Sequence, residues 1–235
     1  MRNILLVFVY FFLTLLAIPL ILVCMLFGFR DAFLVYGRWM MRVGRLILGI
    51  DVEVAGLDRL DRRIPYVFMS NHLSFLDGPL LMTVIDRPAR VIVKRFVFRI
   101  PVLGLGMRFS GYVPLDKEGA GAGRRSIAKA AKLIKEKRYS FLIYPEGQRS
   151  WDGKMQPFRR GGFFLALDTG APIVPVSIHG TFELMPRGKW LIKKGPVRIV
   201  FHEPVSVGGC TREAIPELME RVKTAIFREE HHLVE

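Results

Sequence analysis

Hydrophobic and polar positions divide the chain into three stretches of different character. From Ile4 to Phe29, "ILLVFVYFFLTLLAIPLILVCMLFGF", no residue is charged. Those 26 positions exceed the roughly 20 that a helix needs to cross the hydrocarbon core of a bilayer. A secretory signal has a shorter apolar region of about 7–15 residues followed by a small-x-small cleavage site, and no such site follows here. The tract predicts a membrane-inserted helix, and Pro19 within it leaves two geometries open, a single span or a half-inserted hairpin.

The second stretch, "DAFLVYGRWMMRVGRLILG", is amphipathic. Arg38, Arg42 and Arg45 recur at steps of four and three, one stripe of a helix, while Trp39, Met40, Val43, Leu46 and Ile47 fill much of the rest. Beside an insertion tract this predicts an interfacial helix, with arginines toward lipid phosphates and Trp39 at the headgroup level. The plainer alternative is a helix packed on its own domain with a solvated arginine face. Residues 1–50 thus form an expected anchor, and 51–235 an expected catalytic or binding domain.

After Ile50 short β-rich runs take over: "VEVAG", "PYVFMS", "ARVIVK", "GYVPLD", "YSFLIYP", "PIVPVSI" and "VRIVFHEPV". Between them "RRSIAKAAKLIKEKRY" places Ile127, Ala130, Ala131 and Ile134 on one helical stripe with lysines opposite. Further helices are expected from near Arg160 and from about Thr211 to His231. Apolar strands interleaved with helices predict one α/β domain whose sheet is buried on both faces. The run "EGAGAGRR" mimics a phosphate loop but lacks the terminal Gly-Lys-Ser/Thr of a Walker motif. Arg124 also stands where G-x-G-x-x-G needs its third glycine. It reads as a loop leading into a helix.

Composition narrows the setting. The 235 residues carry a formal charge of +14 and only two cysteines, Cys24 and Cys210, too few for a disulfide framework. A reducing compartment fits. Only Arg2 precedes the apolar tract, and Arg30, Arg38, Arg42 and Arg45 follow it closely. Positive segments stay on the cytoplasmic side, so the domain is expected against the cytoplasmic face of an inner membrane.

Candidate chemistry begins at "SNHLSFLDGP", Ser70 to Pro79. On a continuous helix His72 and Asp77 would point roughly 140° apart. A strand ending near Ser70, a turn, and a helix starting near Asp77 would instead bring them together. Asp77 is then a helix N-cap with Pro79 in the first turn, and its carboxylate also suits one imidazole nitrogen, leaving the other as a proton acceptor. No G-x-S-x-G elbow supplies an enzyme nucleophile. A substrate hydroxyl is therefore the expected nucleophile, with His72 as general base. In "YPEGQRS" an apolar strand ends at Pro145, and Gly147 permits a tight turn. Arg149 then emerges at a strand's carboxyl end, where open α/β sheets bind ligands. A guanidinium suits phosphate; pairing with Glu146 is the bland alternative. Arg159 and Arg160 follow closely. His231 and His232 lie at the end of the last helix and are not expected to hold metal. His179 is placed to face a pocket and His202 is not.

Taken in order, "NHLSFLD", "KRFVFRIPVLGLGMRFSGYVPLDK", "YPEGQRS" and "APIVPVSIHG" resemble the blocks of the 1-acylglycerol-3-phosphate O-acyltransferases, the glycerolipid acyltransferase family. Asn71, His72 and Asp77 match its N-H-x-x-x-x-D. Pro145, Glu146, Gly147, Arg149 and Ser150 match F-P-E-G-T-R-S, with Tyr144 and Gln148 departing from it. Asp116-Lys117 stands where Asp-Arg is usual. The likeness runs from about Val52 to Pro204. It implies a mixed, largely parallel sheet flanked by helices, as in glycerol-3-phosphate acyltransferases. It also implies direct transfer of an acyl group from coenzyme A or acyl carrier protein to the sn-2 hydroxyl of 1-acylglycerol-3-phosphate, yielding phosphatidic acid. His72 would be the base and Asp77 its orienter; Lys94, Glu146, Gly147 and Arg149 would bind the acceptor's phosphate end, with no metal or bound cofactor. Val174, Pro175 and Val176 match the fourth block, as acyl-pocket wall or as core strand. The implied partners are the bilayer, an anionic lysophospholipid and acyl carrier protein, not nucleic acid. Another lysolipid acceptor, a membrane-bound ester or thioester hydrolase, and a non-enzymatic basic module are the rival readings.

Overall fold

A computed structural model describes residues 1–115 and 121–231. Asp116, Lys117 and the first half of the "EGAGAG" run, residues 118–120, lie outside them, as do His232 and the side chain of His231.

The chain opens with helix α1 (Arg2–Phe27), which runs unbroken through Pro19, and helix α2 (Arg30–Leu48). Gly28, with φ of 73°, turns between them. Its amide bonds the Cys24 carbonyl in the left-handed cap that only glycine adopts without strain. The α1 residues Leu13, Ala17, Ile21 and Cys24 recur at helical spacing and are buried; α1 packs on α2. Most of its other apolar side chains are exposed.

The domain then follows as strand β1 (Ile50–Ala55), β2 (Val67–Ser70), helix α3 (Asp77–Val84), β3 (Ala89–Lys94), a 3-10 turn over Arg95–Arg99 and α4 (Leu103–Phe109). Next come β4 (Val113–Leu115), α5 (Ala122–Lys137), β5 (Ser140–Ile143), α6 (Gly161–Thr169) and β6 (Ile173–His179). A short α7 (Thr181–Leu184), β7 (Gly195–Phe201) and α8 (Ile215–His231) complete it. The seven strands lie in the order β1-β7-β6-β2-β5-β3-β4, parallel throughout except between β6 and β7. The expected mixed, largely parallel sheet is present.

Alternating side chains feed two cores. On one face Phe68, Leu142, Val174 and Val176 pack beneath Leu34 and Leu48 of α2 and Leu80 and Leu81 of α3. On the other, Val67, Met69, Phe141 and Ile143 meet Ala130 and Ile134 of α5, Phe163 and Leu165 of α6, and Val222 of α8. Each large side chain so buried contributes about 1.5–3 kcal/mol. Residue 50 marks a change of sequence character rather than a boundary between bodies, because α2 shares a core with the sheet.

The arginine stripe of α2 is turned the other way from the interfacial expectation. Arg42 Nη2 donates to the Thr83 carbonyl (3.2 Å), and Arg38 Nη2 to that of Arg87. These carbonyls belong to the end of α3 and the residues after it, where a helix leaves acceptors unsatisfied and favours positive charge. The guanidinium of Arg90, fully buried in β3, pairs with Asp31 at the start of α2 (2.7 Å) and stacks 3.8 Å from the Tyr139 ring centroid. Val35, Trp39 and Leu46 form the outward side instead.

Candidate active site

Strands β2 and β5 are neighbours, yet their chains leave in opposite directions. β2 proceeds through α3 to β3, whereas β5 proceeds through α6 to β6 on the far side of β2. Their helices lie on opposite faces, which leaves a crevice at the carboxyl edge between the two strands, where open α/β sheets bind ligands. "NHLSFLD" leaves β2 at this edge and "YPEGQRS" leaves β5. Lys94 ends β3 at the same edge, exposed, and Thr181 follows β6 there.

His72 is held on every side but one. Its amide donates to Glu146 Oε1 (2.6 Å), and its carbonyl accepts from the Ser150 amide (2.8 Å). The Tyr144 ring stacks on the imidazole, with centroids 3.9 Å apart and planes 15° off parallel. Nδ1 lies 2.8 Å from Asp77 Oδ2. That oxygen also accepts the amides of Leu73 (2.7 Å) and Ser74 (2.8 Å), and Oδ1 accepts the Thr181 hydroxyl (2.6 Å). Surrounded only by donors and fully buried, Asp77 takes Nδ1–H. Nε2 is therefore left as the proton acceptor, on a side chain that keeps 19% of its surface open. The contact between His72 and Asp77 expected from the sequence is present.

The helix-cap reading of Asp77 is corrected. Leu76 holds the N-cap position, and the Asp77 side chain reaches back to the loop amides instead of capping its own helix. Glu146 also differs from expectation. It is buried, and its two oxygens accept the amides of His72 and Gln156, both at 2.6 Å. Its geometry braces the base rather than facing a phosphate, and it forms no ion pair with Arg149 among the described residues. Gly147 has φ of 71°, and a Cβ there would stand 2.9 Å from Arg159 Nε, so the glycine lets Arg159 lie across the turn. Arg149 is half-exposed. Its guanidinium pairs with nothing among the described residues, while its carbonyl is held by Arg187 (2.7 Å).

Two residues went unassigned in the sequence. Thr181 closes the second side of Asp77, and Tyr144 supplies a stacking face. Burial, with the Asp77 charge adding to it, pushes the Tyr144 hydroxyl well above 10. Neither stands at a spacing from His72 that sequence alone would flag. Val174 and Val176 of the fourth block are wholly buried in the core, so that block is core strand that delivers Thr181. Asn71 ties β2 to β6 by bonding both polar backbone groups of Ile178. His202, at the opposite sheet edge, lies 2.7 Å from Ser177 Oγ.

A fixed imidazole with one nitrogen left open, at the switch point of an α/β sheet, is an arrangement that can accept a proton from a bound hydroxyl. A family model described as Acyltransferase matches residues 51–179, more than half of the chain. The chain belongs to the acyltransferase family. It is 30% identical over 221 residues to the human 1-acyl-sn-glycerol-3-phosphate acyltransferase alpha, covering 93% of this chain and 77% of that protein. The chloroplastic 1-acyl-sn-glycerol-3-phosphate acyltransferase of Brassica napus is 36% identical over 155 residues, 65% of this chain. The match spans only 44% of that longer relative. The crystal structure of the 1-acyl-sn-glycerophosphate (LPA) acyltransferase PlsC from Thermotoga maritima superposes with a TM-score of 0.81 at 28% identity, over 99% of this chain and 98% of that one.

Proposed function

We propose that this protein moves a fatty acyl group from a thioester to the sn-2 hydroxyl of 1-acyl-sn-glycerol-3-phosphate, making phosphatidic acid. The observation that carries the reading is the 2.8 Å bond from His72 Nδ1 to Asp77, which leaves Nε2 open at the sheet edge that also bears Arg149. Nε2 accepts the hydroxyl proton as the oxygen attacks the thioester carbonyl. The tetrahedral intermediate collapses with loss of thiolate, and the imidazolium returns its proton to that sulfur. Asp77 balances the charge between the two transfers. General-base assistance of this kind accelerates a reaction by about 10²–10⁴.

Arg149, aided by Lys94 and by the turn at Gly147, holds the acceptor's phosphate. The donor is acyl-coenzyme A or acyl carrier protein, and the residues present carry the transfer without a bound cofactor or metal. The substrate is a membrane lipid, and the placement of α1 suits it. The Asn3 side chain and the Ile192 backbone bond each other twice, both at 3.0 Å, while Arg30 at the other end of the hairpin stacks over Phe109. Both ends of a helix roughly 39 Å long are thus tied to one domain. That favours α1 lying in one leaflet over a straight crossing. The positive residues beside it, Arg30, Arg38, Arg42 and Arg45, support a cytoplasmic-side position at an inner membrane.

The test is acyl transfer in detergent from a labelled thioester to 1-acylglycerol-3-phosphate, with wild type beside His72→Ala. Phosphatidic acid from wild type and a loss of about a hundredfold or more in the variant is expected. Release of free fatty acid in place of phosphatidic acid, with acceptor saturating, would overturn the reading in favour of a hydrolase.

A further inference from the structure

Exposed apolar surface does not end with α1. Phe75, in the loop between His72 and Asp77, is 61% exposed. Phe96, at 60%, together with Ile100 and Leu103, stands out from the segment that follows β3. Trp190, at 89%, and Leu191 do so from the loop that follows α7. These three segments leave β2, β3 and β6, strands linked by parallel pairings, so they emerge from the edge that carries His72. Trp151 differs from them because the Arg187 guanidinium lies 3.9 Å over its ring. Water-facing surfaces seldom gather large apolar side chains in this way around a site.

Two further observations say what covers them. The first is continuity with the hairpin. Ile192, next to Leu191, is the residue bonded to Asn3 of α1. At the other end, Arg30 stacks on Phe109 of α4, and a side chain at Gly106 would run into the Phe33 ring of α2. The second is charge. No acidic residue occurs from Lys94 to Leu115 or from Pro186 to Phe201. Arg95 and Arg99 flank Phe96, and Lys189, Lys193 and Lys194 flank the Trp190 pair, all exposed. Aromatic and aliphatic tips ringed by cations fit an anionic phospholipid leaflet.

We infer that the two loops, around Phe96–Leu103 and Trp190–Leu191, form a second membrane-contact element. This rim enters the same leaflet as α1 on both sides of the active site. The acceptor then reaches His72 by sideways movement, without leaving the lipid. The inference rests on the proposed acyl transfer for its purpose, and on the exposed side chains for its existence.

Its test reads insertion directly. In the full chain, with Trp39, Trp151 and Trp190 replaced by phenylalanine, Phe96→Trp provides a single indole. Vesicles of phosphatidylglycerol and phosphatidylethanolamine brominated high on the acyl chain should quench it at least about twofold relative to unbrominated vesicles. An indole left unquenched while the protein sediments with the vesicles overturns the inference. So does an indole that responds only to acyl carrier protein, which would assign the rim to that acidic partner. A second arm uses Phe96→Ser/Leu103→Ser. Transfer to vesicle-embedded acceptor should fall about tenfold or more, and transfer to a monomeric short-chain acceptor should stay within about twofold of wild type. Equal losses on both acceptors overturn it too. The quenching result stands whether or not acyl transfer is found; absence of transfer by wild type would remove the proposed function and leave the rim.

Discussion

Replacing Glu146 by glutamine separates two roles for a residue whose sequence context pointed to phosphate binding. The carboxylate is buried and accepts two amides at 2.6 Å, one from His72 and one from Gln156. Charge-assisted bonds of this kind contribute about 1.5–3 kcal/mol each. In Glu146→Gln one amide oxygen keeps one partner with a weaker neutral bond, while the new NH₂ meets an N–H in a donor-to-donor clash. Losing one bond and stranding one buried amide should destabilise the fold by about 2–4 kcal/mol. At about 2–4 °C per kcal/mol for a chain of this length, the midpoint in a detergent thermal scan should drop by about 5–15 °C. Turnover should fall as well, because a shift of about 1 Å at the base costs about a hundredfold. The acceptor's KM should hardly move. If Glu146 instead lined the phosphate pocket, removing its charge would leave the midpoint within about 2 °C and lower the KM for an anionic acceptor. That pair of results would refute the bracing role.

Thr181→Val removes the donor to Asp77 Oδ1 while keeping the shape, and kcat should fall about tenfold with both KM values unchanged; Thr181→Ser should restore it, and failure of that rescue would reduce Thr181 to packing. Arg149→Ala should raise the acceptor's apparent KM by about tenfold or more and leave the thioester's unaltered, measured by varying each substrate in turn. Alkali should destabilise the protein. Burial pushes Tyr144 well above 10 and Tyr112 up to about 12, so the unfolded chain loses these protons first. Their contribution is whole below pH 10 and is lost as pH rises through the interval above it. Thermal midpoints followed across that interval should fall less steeply for Tyr112→Phe, and an identical slope would count against the assignment.

How much of this was legible depends on how local each interaction is. All seven β-rich runs became strands, because each is a short apolar segment bounded by turn residues. The α5 stripe through Ala130 and Ile134 is buried as its period predicts. The His72–Asp77 pair was readable because five residues of turn suffice to close it. What failed was partner choice. Asp77 looked like a helix cap because aspartate before a helix usually is one; here loop amides and the imidazole compete for the same oxygen. The arginines of α2 looked lipid-facing because nothing in the sequence announces that α3 ends beneath them with open carbonyls. Thr181 lies 104 positions from Asp77, and only the pairing of β2 with β6 brings the two together.

The inward turn of those arginines has a mechanical consequence for catalysis. The buried flank of α1 rests on α2, and α2 is bonded through Arg38 and Arg42 to the end of α3 and the residues after it. Helix α3 begins with Asp77, and Asp77 sets the ring of His72. The path from α1 to the imidazole therefore runs through packed helices and hydrogen bonds, without a flexible tether between them. A tethered domain would sample many heights above a bilayer and meet a buried acceptor rarely. Here the position of His72 relative to α1 is a property of the fold, and Arg90, fully buried and paired with Asp31, holds α2 near its start. Apolar burial thereby does two things at once: it stabilises the sheet through Leu34 and Leu48, and it fixes how the helix pair stands relative to the crevice that holds His72.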